Sequence, residues 1–182
     1  MGTLLSNISN MRKLFTLAAA VLLMIGCGDS RNAPQVEGHY TYEHAFNYDM
    51  DGYHLDVHET GTMDFYADGS ALDSARQVYV ATSDDGDTTT WVYNYISPSQ
   101  WRLEGEDFYF AGVKETFRME VTEGNLESEL TQKIIDTYSG SIDHEYKFHL
   151  DTLTATCLQW SFAYRDGHSD TWVFHRENTQ KP

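Results

Sequence analysis

The sequence predicts an all-β protein, a single antiparallel meander of about eight strands that closes into a barrel. Three observations carry this. Apolar and polar residues alternate with a period of two along most of the chain. Turn dipeptides punctuate that alternation at short intervals, at Asp51-Gly52, Asp68-Gly69, Gly105-Glu106, Glu123-Gly124 and Asp166-Gly167. Proline, which interrupts sheet ladders, occurs only 3 times in 182 residues. A β-sandwich is the alternative closure. The barrel is preferred because it leaves no free edge strand.

The clearest strand is Tyr53 to Phe65. Its odd positions Tyr53, Leu55, Val57, Met63 and Phe65 are apolar, and its even positions from His54 to Asp64 are polar. Gly61 inside it reads as a bulge or bend. Ile142 to Leu150 repeats the pattern. Further strands are expected at His39–Phe46, Leu72–Ala81, Thr88–Ile96, Gln100–Glu104, Phe108–Ala111, Thr116–Val121, Thr154–Tyr164 and Asp170–Arg176. The segment 125–138 is ambiguous. Leu130, Ile134 and Tyr138 recur at helical spacing with Asn125 as a possible cap, but the same residues also alternate. The expectation is a strand that forms a hairpin with the next one.

The amino-terminal part has a different character. Arg12-Lys13 precede an apolar run from Leu14 to Gly26, which ends at Cys27. A basic start, a short apolar core and a small-residue end describe a secretory signal peptide over residues 1–26. A membrane-spanning helix would need ~20 apolar residues. Residues 1–10 add nothing to the signal, so translation beginning at Met11 is an alternative. Ile25-Gly26-Cys27 resembles the lipobox of bacterial lipoproteins, which implies acylation of Cys27 and membrane attachment through lipid. Residues 27–35 form a polar tether, residues 36–177 the barrel domain and 178–182 a short tail. By the same resemblance, Gly28 in place of Asp after the cysteine favours the outer membrane.

Composition narrows the function. The net charge is −16, and it becomes more negative once Arg12 and Lys13 are removed. Such a body repels nucleic acid and anionic lipid headgroups. With Cys27 acylated, Cys157 has no partner for an intramolecular disulfide. The core must then hold the fold, and 12 Tyr, 9 Phe and 4 Trp are available to build it.

Gly38-His39-Tyr40 opens the first strand and Trp172-Val173-Phe174-His175-Arg176 ends the last. Phe65-Tyr66-Ala67-Asp68-Gly69-Ser70 and Trp101-Arg102-Leu103-Glu104-Gly105 lie between them. Together these resemble the lipocalin-like (calycin-type) domains of lipoproteins from Bacteroidetes-type bacteria, with Tyr40 where that family has Trp. The resemblance implies a barrel in which Arg176 lies across Tyr40 and closes one end by a cation–π contact.

Several constellations bear on chemistry. His54, Asp56 and His58 share one strand face at ~6.8 Å spacing, a weak Zn²⁺ arrangement that equally describes a solvated outer face. Asn47, Asp49 and Asp51 before Gly52 match the first half of a calcium loop. His58 stands where that loop needs a bidentate Glu, so a hairpin turn reads as well. Ser161 lacks a nucleophile elbow, and Cys157 has no His positioned by sequence to activate it. No nucleotide-binding motif is present.

Aromatic faces remain. Trp91, Tyr93 and Tyr95 share one strand face; Trp160, Phe162 and Tyr164 share another. In a barrel these fill the core or line a cavity, for which Tyr53, Leu55, Val57, Phe65, Trp91, Tyr93, Trp160 and Phe162 are the candidates. The expectation is a non-enzymatic, lipid-anchored envelope protein without cofactor that binds a small apolar ligand. A sandwich presenting exposed aromatics to a glycan or a protein partner is the second reading. A metal-binding protein or enzyme centred on His54, Asp56 and His58 is the third.

Overall fold

A computed structural model describes residues 35–124, 128–165 and 167–177. The expected signal peptide, Cys27 with the expected tether up to Pro34, the expected cap Asn125, Asp166 and residues 178–182 lie outside the described residues. Among the described residues, nine strands and one helix follow in the order β1 (Gly38–Met50), β2 (Tyr53–Phe65), β3 (Ser70–Ser83), β4 (Thr88–Glu104), β5 (Asp107–Gly112), β6 (Arg118–Glu123), α1 (Glu129–Ser141), β7 (Tyr146–Leu153), β8 (Cys157–Ala163) and β9 (Ser169–Arg176).

Every pairing is antiparallel. Strands β1 to β5 and β7 to β9 form a closed eight-stranded, lipocalin-like barrel, with β6 outside the ring. Closure comes from β1 against β9, where Tyr40 faces Arg176 and Tyr42 faces Phe174. The short hairpins have a local cause. Asp51 and Gly52 both take positive φ, 54° and 78°, as a two-residue turn between right-twisted strands requires.

The pleat sorts side chains inward and outward. Leu55, Val57, Met63 and Phe65 of β2 are buried, while His54, Asp56 and His58 are exposed. Charge on the outer face is the reverse of a barrel that crosses a bilayer with its strands. Inside, the apolar residues fall into two clusters. One contains Tyr40, Phe65, Phe108, Leu158, Trp160 and Phe174. The other contains Leu55, Val57, Tyr79, Trp91, Tyr93 and Ile134. Between them along β2 and β3 sit Glu59 and Gln77, both buried.

The structure corrects the sequence reading in four places. Residues 129–141 are helical, not a strand. The eight-stranded ring is complete without this segment, and the second cluster needs a cover. Leu130 and Ile134, one helical turn apart, supply it. Ser128, not Asn125, caps this helix, its hydroxyl accepting from the Thr131 amide at 3.4 Å.

The hairpin partner accordingly starts later, at Tyr146, and Ile142 is the residue that ends the helix. Strand β4 runs unbroken through Pro98, where two strands were expected. One edge of β4 pairs with β6 up to Ile96 and with β5 from Ser99, so Pro98 falls between partners. Its carbonyl accepts from Val113 N at 2.7 Å on that edge, and its missing N–H faces the same gap. Finally, Gly61 makes no bulge, since β2 keeps continuous register with both neighbours. A Cβ there would lie 2.8 Å from the Tyr42 hydroxyl and 2.8 Å from the Ser74 carbonyl oxygen. Glycine is required by what packs against it.

Candidate functional site

The inward faces of strands β1 to β4 carry polar residues near mid-barrel where the alternation calls for apolar ones. Strand β1 contributes Tyr42 and His44, β2 Glu59, β3 Asp73 and Gln77, and β4 Tyr95, all buried. The helix adds Tyr138. These groups form one network. The Tyr42 hydroxyl lies 2.7 Å from Glu59 Oε1 and 2.8 Å from Asp73 Oδ1. The Tyr95 hydroxyl lies 2.7 Å from the same Glu59 oxygen and 2.8 Å from Asp73 Oδ2. The two hydroxyls are 3.1 Å apart. Gln77 Nε2 donates to Glu59 Oε2 at 2.7 Å and to the Tyr138 hydroxyl at 2.9 Å. The Tyr79 hydroxyl donates to Gln77 Oε1 at 3.2 Å.

The proton count in this cluster is informative. Each tyrosine hydroxyl has one proton, yet each touches both carboxylates and the other hydroxyl. The contacts outnumber the protons that the tyrosines supply. A proton on one carboxyl group reduces the deficit and relieves the repulsion between the two acids. Asp73 is the group to hold it. Burial, and then the charge of Glu59, push its pKa up to about 7, against hydrogen bonds from Tyr42 and Tyr95 that pull it down. The hydroxyls of Tyr42 and Tyr95 are themselves pushed well above the usual phenol range, first by burial and then by the Asp73 and Glu59 charges. They therefore stay protonated and act as donors.

The network forms the floor of a cavity of about 260 Å³. Glu59, Asp73, Tyr42 and Tyr95 line its inner part; Phe110, Phe148, Trp160, Trp172 and Phe174 line its walls. Tyr164, half exposed, and Asp170 stand at the outer end, joined by a 2.9 Å hydrogen bond. His44 stacks obliquely on Trp172 at 4.3 Å between ring centres. Burial lowers its pKa, with Glu59 and Asp170 opposing, so the imidazole is neutral near pH 7. Among the described residues no Lys or Arg lines this cavity.

The residues singled out from the sequence are placed as follows. Tyr40 and Arg176 meet at one end: Arg176 Nε donates to the Tyr40 hydroxyl at 3.1 Å, and its guanidinium carbon lies 5.1 Å from the ring centre. The Tyr40 hydroxyl in turn donates to the Val36 carbonyl at 2.8 Å. Of the cavity candidates only Trp160 lines this cavity. Phe65 packs edge-on to Tyr40, Trp101 and Phe108 in the first cluster. Leu55, Val57, Trp91 and Tyr93 are buried in the second cluster with Tyr53 at its margin. Phe162 packs against Tyr146, Phe148 and Tyr164. The inward burial of Trp91, Tyr93, Tyr95 and Trp160 leaves them unable to form an exposed platform, and the barrel replaces the sandwich alternative.

The metal candidates are exposed and engaged separately. His54 Nδ1 is 2.8 Å from Asp49 and its Nε2 is 3.6 Å from Asp56; His58 Nε2 is 2.7 Å from Glu43. Asn47 and Asp49 lie in the extended strand β1, not in a loop that could wrap a cation. Asp51 is paired with Lys133 of the helix. Among the described residues no group of three or more His, Cys, Asp or Glu side chains is placed to hold a metal ion. Ser161 bonds to Asp151 at 3.2 Å, and Cys157 is half-buried; neither lines the cavity.

Sequence reasoning missed Glu59 and Asp73. Glu59 was visible as the one charge among the apolar odd positions of Tyr53 to Phe65. Asp73 stands two residues after the buried Ala71 and six before the buried Tyr79, hence on the inward face of β3. No protein-family model matches the chain, and no curated protein sequence matches it.

The pH dependence of stability tests the shared proton. With its pKa raised from 3.8 to about 7, Asp73 binds a proton in the folded state that the unfolded chain has lost between those values. Its contribution is full below pH 4 and disappears as pH rises through 7. The expected loss is ~2–4 kcal/mol. Asp73→Asn removes this slope, so urea midpoints should show the variant gaining on the wild type from pH 5 to pH 8. Parallel pH profiles for the two proteins would contradict the assignment.

Proposed function

We propose that this chain is a non-enzymatic, lipid-anchored protein of the cell envelope that holds one small ligand inside its barrel. The observation that carries the reading is the cavity of about 260 Å³ with an aromatic wall and a polar floor. Binding sites of this kind are mostly apolar concavities with a few placed polar groups. An apolar cavity of ~150 Å³ accepts benzene, so this one suits a compact molecule of roughly ten heavy atoms. The absence of Ser161 and Cys157 from the lining supports binding over nucleophilic chemistry.

The order Arg12-Lys13, apolar run, Gly26-Cys27 supports the anchor, and Gly28 supports the outer membrane. Several acyl chains at ~0.8 kcal/mol per buried methylene give stable attachment even to a strongly acidic domain. On this reading the protein belongs with lipocalin-like lipoproteins, the resemblance carried by the Gly38-His39-Tyr40 opening and the strand that ends at Arg176.

Indole-sized probes test the cavity. Trp160 and Trp172 line it, so naphthalene titrated into the purified domain should quench or shift tryptophan emission saturably. Phe174→Ala enlarges the cavity and should change the apparent affinity severalfold, whereas a substitution at exposed Ile96 should not. A signal that is linear in probe and identical in both variants would overturn the binding reading. For the anchor, Cys27→Ala should move the protein from the membrane fraction to the soluble one. Unchanged fractionation would contradict lipid attachment.

A further inference from the structure

The floor of the cavity has an excess of negative charge that the protein does not neutralise. Glu59 is 7% exposed and Asp73 9% exposed, and both line the cavity. Ordinarily a buried carboxylate is paired with Arg or Lys, because an uncompensated buried charge costs several kcal/mol. Here the partners are neutral donors: the Tyr42 and Tyr95 hydroxyls and the Gln77 amide. The one basic side chain in the lining, His44, is held neutral by burial. Even with one carboxyl protonated, the pair keeps a negative charge facing the cavity.

The walls suit the same kind of visitor. Phe148, Trp160, Trp172 and Phe174 present rings to the space above the acids. Aromatic faces attract cations that have left water. Trp160, 3% exposed, is among the rings that line the cavity. A strongly acidic chain, with net charge −16, also draws cations toward its surface.

We propose that the cavity binds a small primary amine in its ammonium form, with the charged nitrogen seated at Glu59 and Asp73 and a compact apolar body among the rings. This rests on the cavity-binding reading above and names the chemical class that it takes. Each carboxylate oxygen has two lone pairs, and the protein contacts leave acceptor positions free for an ammonium donor. The preference over a neutral molecule of the same shape comes from the charge alone. Charge-assisted hydrogen bonds and cation–π attraction both vanish when the nitrogen is replaced by carbon.

The test compares phenethylamine with propylbenzene, which has the same size and shape without the charge, and with phenylacetate, which reverses it. Each is titrated at pH 8 into the purified domain with tryptophan emission and calorimetry as readouts. The amine is expected to bind at least tenfold more tightly than propylbenzene, and phenylacetate to bind more weakly than either. Glu59→Gln keeps the shape and removes a charge; it should reduce the amine's advantage over propylbenzene at least fivefold. Equal binding of amine and propylbenzene to the wild type would overturn the amine proposal while leaving the cavity reading intact. No saturable binding of any of the three would overturn both. The wild-type comparison decides the matter even if the variant does not fold.

Discussion

Two carboxylates buried in one barrel without a cationic partner set the terms for the rest of this interior. Neither Glu59 nor Asp73 meets Lys or Arg, so the cost of removing them from water is met by tyrosine hydroxyls, a glutamine amide and a shared proton. Those donors must arrive from different strands at one point. The closed sheet makes this possible, since β1, β2, β3 and β4 are consecutive staves with continuous register. An open sheet would have exposed the acids to water and needed none of this.

The requirement spreads outward through packing. Tyr42 reaches Glu59 and Asp73 because Gly61 leaves the space that any side chain would fill. Ala75 faces Gly61 on one side and Tyr95 on the other, and is small where two tyrosines converge. Gln77 hands the network on to Tyr138, which ties it to the helix. The helix in turn covers the second apolar cluster through Leu130 and Ile134 and is joined to the first hairpin through Lys133 and Asp51. A polar layer that divides two apolar clusters is thus held by the same elements that close the barrel. Above it, the aromatic residues do not meet completely, and the cavity is the space left over an anionic floor.

The fold was legible because period-two alternation reports directly on pleat and face. Strand positions from Tyr53 to Phe65, the Asp-Gly turns and the meeting of Tyr40 with Arg176 follow from it and from the resemblance of the two terminal strands. The helix was not legible. Leu130, Ile134 and Tyr138 satisfy both periods, and the deciding fact, an apolar cluster that the segment covers, is tertiary. Pro98 misled in the other direction, since its tolerance depends on a gap between two partner strands. The cavity was only partly legible: alternation says which rings point inward, not how much space lies between them. Most predicted lining residues pack in the two clusters instead. Glu59 and Asp73 were written in the pattern as exceptions, and exceptions on an apolar face are where chemistry collects.

Direct titration of the Asp73 carboxyl carbon by nuclear magnetic resonance tests the shared proton most plainly. The assigned Asp73 carboxyl shift would be followed from pH 4 to pH 9 in the unliganded protein. The structure predicts a midpoint near 7 for Asp73, raised by its burial and then by the neighbouring Glu59 charge. An Asp73 transition below pH 5 would contradict the account.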